Sequence, residues 1–131
     1  MFRSFLSLFA GYVSILVIMF AGQMTLYLTV QAPEGPGQYT DADLLWNQVM
    51  TVVSAFMGGV MTAAVAHRKP FAHAAALSGI VFLIGIGNTT RLWHLLPHSY
   101  LFIILLGNAP MILIGGWVKS RLLAARRTAV A

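Results

Sequence analysis

Apolar and charged positions fall along this chain in long blocks rather than at a short helical or strand period. No Asp, Glu, Lys or Arg occurs from Ser4 to Pro33, from Leu44 to His67, from Pro70 to Thr90 or from Leu92 to Val118. Each block holds an apolar run that, as a helix rising about 1.5 Å per residue, can cross the roughly 30 Å hydrocarbon core of a bilayer. The pattern predicts an all-α chain, a four-transmembrane-helix bundle with helices at about 5–30, 44–66, 71–93 and 99–118 and a basic tail over 119–131. At 131 residues this is a single integral membrane domain.

Local signals set the ends of these runs. The first stops before Pro33-Glu34-Gly35-Pro36-Gly37, where two prolines and two glycines force a loop. Val30-Gln31-Ala32 has a faint look of a signal-peptidase site. The run before it is about 26 residues, against about 7–15 for a signal-peptide core, so a retained membrane helix is expected. Thr40-Asp41-Ala42-Asp43 reads as an N-cap with an acid three residues on, a capping-box variant. Pro70 suits the first position of the third helix, and the short connection before it makes the second and third helices antiparallel neighbours. Leu96-Pro97-His98 makes the next turn, and Pro110 should kink the fourth helix and free a carbonyl near Leu106.

Composition agrees with lipid as the solvent: 59% of residues are hydrophobic and 8% charged, against about 25% charged in an average soluble domain. Charge then orients the chain. Arg3, Arg68, Lys69, Lys119, Arg121, Arg126 and Arg127 gather at one side of the predicted bundle, and Arg91 alone falls on the other with Glu34, Asp41 and Asp43. By the positive-inside rule both termini are cytoplasmic, with Trp46 and Tyr27 at the outer interface. The net charge of +5 flanks apolar runs instead of forming a basic stripe, so membrane lipids and no nucleic acid are the expected partners. With no cysteine, disulfides, thiolate metal sites and cysteine nucleophiles are excluded.

Small residues recur at helical spacing. Ala55, Gly59 and Ala63 form one stripe of the second helix, and Ser54, Gly58, Thr62 and Ala66 another. Such stripes let backbones approach where no hydrophobic effect drives helices together. Ala76 and Gly79, with Ala72 and Ala75, promise the same on the third helix, so tight packing between the second and third helices is expected. Gly115 and Gly116 offer a similar surface on the fourth, 57 residues after Gly58 and Gly59. Two helical hairpins related by an axis along the membrane normal would produce that spacing, and so would chance in a glycine-rich membrane sequence.

Candidate chemistry is sparse. His73 lies about one turn into the third helix among alanines, which leave room for a flat macrocycle, so haem or chlorophyll ligation is one reading. A helix-terminal histidine bonded to a carbonyl, water or headgroup is the commoner arrangement. The sequence requires no cofactor. Arg91, Trp93 and His94 form an external interface, read as an anchor with a snorkelling arginine or as a contact for a quinone headgroup or anion. The membrane-depth amides Gln23, Asn47, Gln48 and Asn88 fall in the outer half, and Asn108 lies near the middle beside Pro110. Polar groups near a proline break can build a substrate or ion site; more often such amides hydrogen-bond between helices. No acid or base lies at mid-membrane, where proton relays and ion paths place them. No Gly-x-Ser-x-Gly, His-Glu-x-x-His or phosphate loop occurs, and no metal site is indicated.

Gly58-Gly59 leading through Ala66-His67-Arg68 into Pro70-Phe71-Ala72-His73, and Pro97 followed by Gly115-Gly116 and Arg121, resemble small uncharacterised four-helix inner-membrane proteins of bacteria. The resemblance implies a four-helix fold in the bacterial inner membrane, and no activity or site residue comes with it. A chain with many packing devices and few catalytic ones is expected to be no enzyme. The first expectation is a structural or accessory subunit of a larger membrane complex, an energy-transducing one included, with other membrane protein subunits as partners. The alternatives are a small oligomeric channel or transporter, and a haem- or chlorophyll-binding subunit.

Overall fold

Every regular element among the described residues is a helix: α1 (Phe2–Thr29), α2 (Asp41–Val65), α3 (Pro70–Leu92) and α4 (His98–Val130). The structure is a computed structural model describing residues 2–29, 39–66 and 68–130, with side chains for all of these except 2, 3 and 126–130. Val30-Gln31-Ala32, the loop Pro33-Glu34-Gly35-Pro36-Gly37 and His67 lie outside the described residues. All four helices are long and apolar enough to cross a membrane.

The start of α2 follows its sequence closely. Thr40 is the N-cap; its hydroxyl accepts from the Asp43 N–H at 3.2 Å, while Asp43 Oδ2 accepts from the Thr40 N–H at 2.9 Å. The box satisfies backbone donors at both positions and places a carboxylate at the positive end of the helix dipole. α2 ends at Val65 and α3 begins at Pro70. Lys69 adopts a left-handed conformation (φ 49°) and Pro70 opens the next helix.

α4 corrects the expected boundary at Val118. It continues through the basic segment to Val130, because Leu, Ala, Lys and Arg are strong helix formers and no Gly or Pro interrupts them after Gly116. Charge ends the apolar span but not the helix. Arg121 lies over the Trp117 ring, 5.4 Å from its centre, one turn later on the same face.

Packing follows the order α1–α2–α4–α3. α2 and α4 run parallel and share the most extensive interface, α1 lies against α2, and α3 lies against α4. α2 and α3 meet over a shorter stretch, and no Cα of α1 comes within 8 Å of one in α4 among the described residues. The short connection between α2 and α3 therefore joins helices that are not each other's main partners. Chain connectivity limits how far apart two helices may lie; side-chain size decides which backbones can touch.

Glycine makes that decision at the end of the bundle carrying Arg68 and Lys69, here the basic end. A methyl group on Gly59 would collide with the Ile112 carbonyl, and one on Gly115 with the Phe56 carbonyl. The two contacts are reciprocal, residues 56, 59 and 60 against 112, 115 and 116, as expected for hairpins related by an approximate twofold axis. On the other side of α2, a methyl on Gly11 would fall on the Thr62 hydroxyl and 2.8 Å from the Gly58 carbonyl. Both stripes of α2 are thus internal: Ser54, Ala55, Gly58, Gly59, Thr62 and Ala63 are all buried. One serves α4 and the other α1.

α3 turns a different face inward from the one its alanines suggested. Ala74, Leu77 and Ser78 are buried, with Ala74 against Gly116 and the Ser78 hydroxyl donating to the Ala109 carbonyl at 3.0 Å. Ala76 and Gly79 are exposed, and Gly79 has open space beside it. Much of the outer surface is apolar. On α1, Phe5, Phe9, Val13, Val17, Phe20, Met24 and Tyr27 are 36–68% exposed along one face, a surface that only lipid or another apolar surface can cover.

Candidate functional site

Away from the glycine contacts the helices separate, and a cavity of about 420 Å³ opens between all four toward the end carrying Asp41 and Asp43. Small-molecule sites usually have about 300–1,000 Å³. Its walls are largely apolar, from Ile15, Leu16 and Met19 of α1, Val81 and Ile84 of α3, and Leu101 and Ile104 of α4. Toward the basic end it is closed by the fully buried Leu77, Ile112 and Thr62.

Within these walls, polar groups converge from three helices. Gln23 Nε2 donates to Asn47 Oδ1 at 2.9 Å, and Asn47 Nδ2 donates to the Tyr100 hydroxyl oxygen at 2.6 Å. The chain has a direction: both donors point toward Tyr100, whose own proton remains to be given. Thr51 Oγ1 donates to the Asn47 carbonyl at 2.7 Å, and the Trp46 indole N–H donates to the Gly22 carbonyl at 3.1 Å, holding α1 to α2 at this level. Gly22 allows this approach, since a methyl there would lie 2.7 Å from Met50 Cγ.

Asn108 stands deeper, eight residues or about 12 Å along α4 from Tyr100. Its Oδ1 is buried and has no hydrogen-bond partner. A buried acceptor without a donor costs about 1–3 kcal/mol, so this atom marks a place for a donor. Asn88, near the far end of α3, also lines the cavity.

The structure thus brings Gln23, Asn47, Asn88 and Asn108 to one cavity, though they are scattered over four helices in sequence. Tyr100 was not legible beforehand. A tyrosine in the first turn of a helix reads as an interfacial aromatic, and only the parallel packing of α2 and α4 carries it to Asn47. Asp43, Thr51 and Tyr39 also line the cavity.

Leu16 of α1 and Ile84 of α3 both line the cavity, and they are 50% and 42% exposed. α1 meets α3 nearer the basic end, where Gly11 lies against Leu77.

The remaining candidates lie elsewhere. His73 Nδ1 is 3.1 Å from the Lys69 carbonyl, one turn back at the helix start and away from the cavity. Arg91, Trp93 and His94 are exposed near the α3–α4 turn. Trp93 stacks on His98 at 4.3 Å between ring centres and meets Phe102 edge-on at 5.9 Å, so the aromatic contact goes to His98 rather than to His94. Among the described residues, no group of three or more His, Asp or Glu is placed to hold a metal ion. The chain matches no protein-family profile, no curated protein and no solved structure.

Proposed function

We propose that this chain is a multi-pass protein of the bacterial inner membrane, with both termini cytoplasmic, that holds a small membrane-soluble molecule in its intramembrane cavity. It works by binding, as a carrier or the receiving half of a transporter, rather than by bond chemistry. The observation that carries this reading is the cavity itself. Four membrane-depth amides and a buried tyrosine face one apolar space, and one of those amides has an acceptor with no partner. Gln23 and Asn47 pin α1 to α2 through a shared bond, whereas the Asn108 acceptor pins nothing and stays open to a ligand. The orientation rests on the seven bases at the basic end.

Its test is extraction and mass spectrometry of small molecules from protein purified out of native membranes, compared with Val81→Trp, which fills the cavity from α3. A species retained by wild type and lost from the variant is expected. An equal small-molecule content in both would overturn the reading.

A second reading, an accessory subunit of a larger membrane complex, is favoured by the apolar face of α1, where Phe5 and Phe9 stack with ring centres 6.3 Å apart. Exposed aromatic residues along one face of a helix are suited to a neighbouring subunit. A mild-detergent pull-down from native membranes should then recover a stoichiometric partner that Phe9→Ala/Phe20→Ala releases. An absorbance spectrum of the same sample tests haem or chlorophyll at His73.

A further inference from the structure

Resting on the cavity reading above, we infer that the occupant is an uncharged amphiphile bearing a carbonyl, which enters from the bilayer between α1 and α3 and accepts a hydrogen bond from the Tyr100 hydroxyl. Three observations lead there. Among the described residues the lining includes no Lys, Arg or His and one carboxylate, Asp43. Asp43 Oδ2 already accepts from both the Thr40 N–H and the Thr40 hydroxyl, at 2.9 and 2.7 Å. Among these residues an anion would meet no countercharge, and a cation would find one only at Asp43, in the first turn of α2 and outside the Gln23–Asn47–Tyr100 chain. Burying a charge away from a partner is costly, so the space around Tyr100 selects a neutral group.

The hydrogen-bond chain decides what the neutral molecule must carry. Asn47 is used at both ends, accepting from Gln23 and donating to Tyr100. The Tyr100 oxygen accepts a hydrogen bond and keeps its own O–H to donate, and Gln23 keeps a second N–H. Two donors therefore flank Asn47, and an ester, ketone or quinone carbonyl is their complement. Successive bonds in one direction polarise the terminal hydroxyl and make it a better donor.

The route follows from exposure. Leu16 of α1 and Ile84 of α3 line the cavity and are also exposed. A lipid-soluble molecule can reach the cavity there without crossing water, whereas the basic end is shut by Leu77 and Ile112. The deep Asn108 acceptor is left for a water or a hydroxyl on the ligand's tail.

The test uses the full-length protein in lipid nanodiscs with four probes of one chain length: methyl palmitate, palmitate, hexadecylammonium and hexadecane. Binding is read by native mass spectrometry and by the infrared carbonyl stretch of isotopically labelled ester. Methyl palmitate should bind tightest, with a carbonyl band shifted down by hydrogen bonding. Tyr100→Phe, which keeps the ring, should weaken it about three- to tenfold, the loss of one hydrogen bond, and return the band to its unbonded position. Gln23→Met, on an exposed side chain, provides a second variant and should give a smaller change in the same direction. If no probe binds wild type, or Val81→Trp binds them all equally, the cavity reading itself falls. If binding is blocked by Val81→Trp but palmitate or hexadecylammonium matches the ester, or the band ignores Tyr100→Phe, only the assigned ligand class falls.

Discussion

Alanine at Gly59 and alanine at Gly79 are the same chemical change on neighbouring helices, and the structure assigns them opposite signs. A methyl on Gly59 falls on the Ile112 carbonyl and lies 3.0 Å from the Gly116 nitrogen, where ordinary contact begins at 3.4 Å. Both neighbours are backbone, so no side chain can rotate away and α2 and α4 must separate, by an amount on the order of an ångström. A gap of about 0.5–1 Å already forfeits a quarter to a half of the dispersion energy between facing atoms, and this interface includes the fully buried Ala63 and Ile112. Overpacking typically costs about 1–3 kcal/mol, and backbone-on-backbone contact places Gly59→Ala near 3. Helix propensity returns about 1 kcal/mol, leaving a net loss of about 2 kcal/mol. Gly79 has nothing within 4 Å, so Gly79→Ala keeps the propensity gain of up to about 1 kcal/mol. The two variants should therefore differ by about 3 kcal/mol. Reversible unfolding in mixed dodecylmaltoside and SDS micelles, followed by far-ultraviolet circular dichroism, measures that difference. Gly115→Ala should behave like Gly59→Ala, and the double variant should cost less than the sum, because one separation relieves both collisions. Unfolding of Gly59→Ala and Gly79→Ala at the same SDS fraction would refute the α2–α4 packing described above.

Three further outcomes follow from separate parts of the molecule. Asn108→Leu, tested in ligand-free detergent, removes a buried acceptor without a partner and should stabilise the bundle by about 1–3 kcal/mol; a lower melting temperature would mean that the oxygen has a donor. Thr40→Ala removes the hydroxyl that caps α2 and should cost about 1 kcal/mol in the same unfolding assay, an effect that Thr90→Ala, whose hydroxyl bonds only within its own exposed turn, should not reproduce. The chain has no cysteine, so Asp41→Cys and Arg68→Cys each introduce a single label. Membrane-impermeant maleimide added to intact spheroplasts should reach only Asp41→Cys, and labelling of Arg68→Cys instead would invert the proposed orientation.

The sequence alone determined the properties that depend on solvent and on local backbone chemistry. Four charge-free runs yield four helices because an apolar segment of that length has to bury its backbone polar groups in its own hydrogen bonds. Thr40 and Asp43 cap α2, and Pro70 opens α3, through contacts within a few residues. The end of α4 was misjudged on the same local level: the charges after Val118 mark where lipid would end, whereas helix formation depends on propensity, which continues to Val130.

Only the tertiary structure decided which helices touch. In a bilayer the outward and inward faces of a helix are both apolar, so hydrophobic periodicity has little contrast from which to read a partner. The choice falls to close approach: Gly59 and Gly115 admit each other's backbones and bring α2 to α4, while Ala76 and Gly79, equally small, face outward because Ala74 and Ser78 already fix α3 against α4. The same step gathers Gln23, Asn47, Asn88 and Asn108 around one cavity and adds Tyr100, which no local pattern marks. The site exists because the helices are held tight at the basic end and leave a cavity beyond it. That is a property of how α1, α3 and the α2–α4 pair are arranged in space rather than of any one segment.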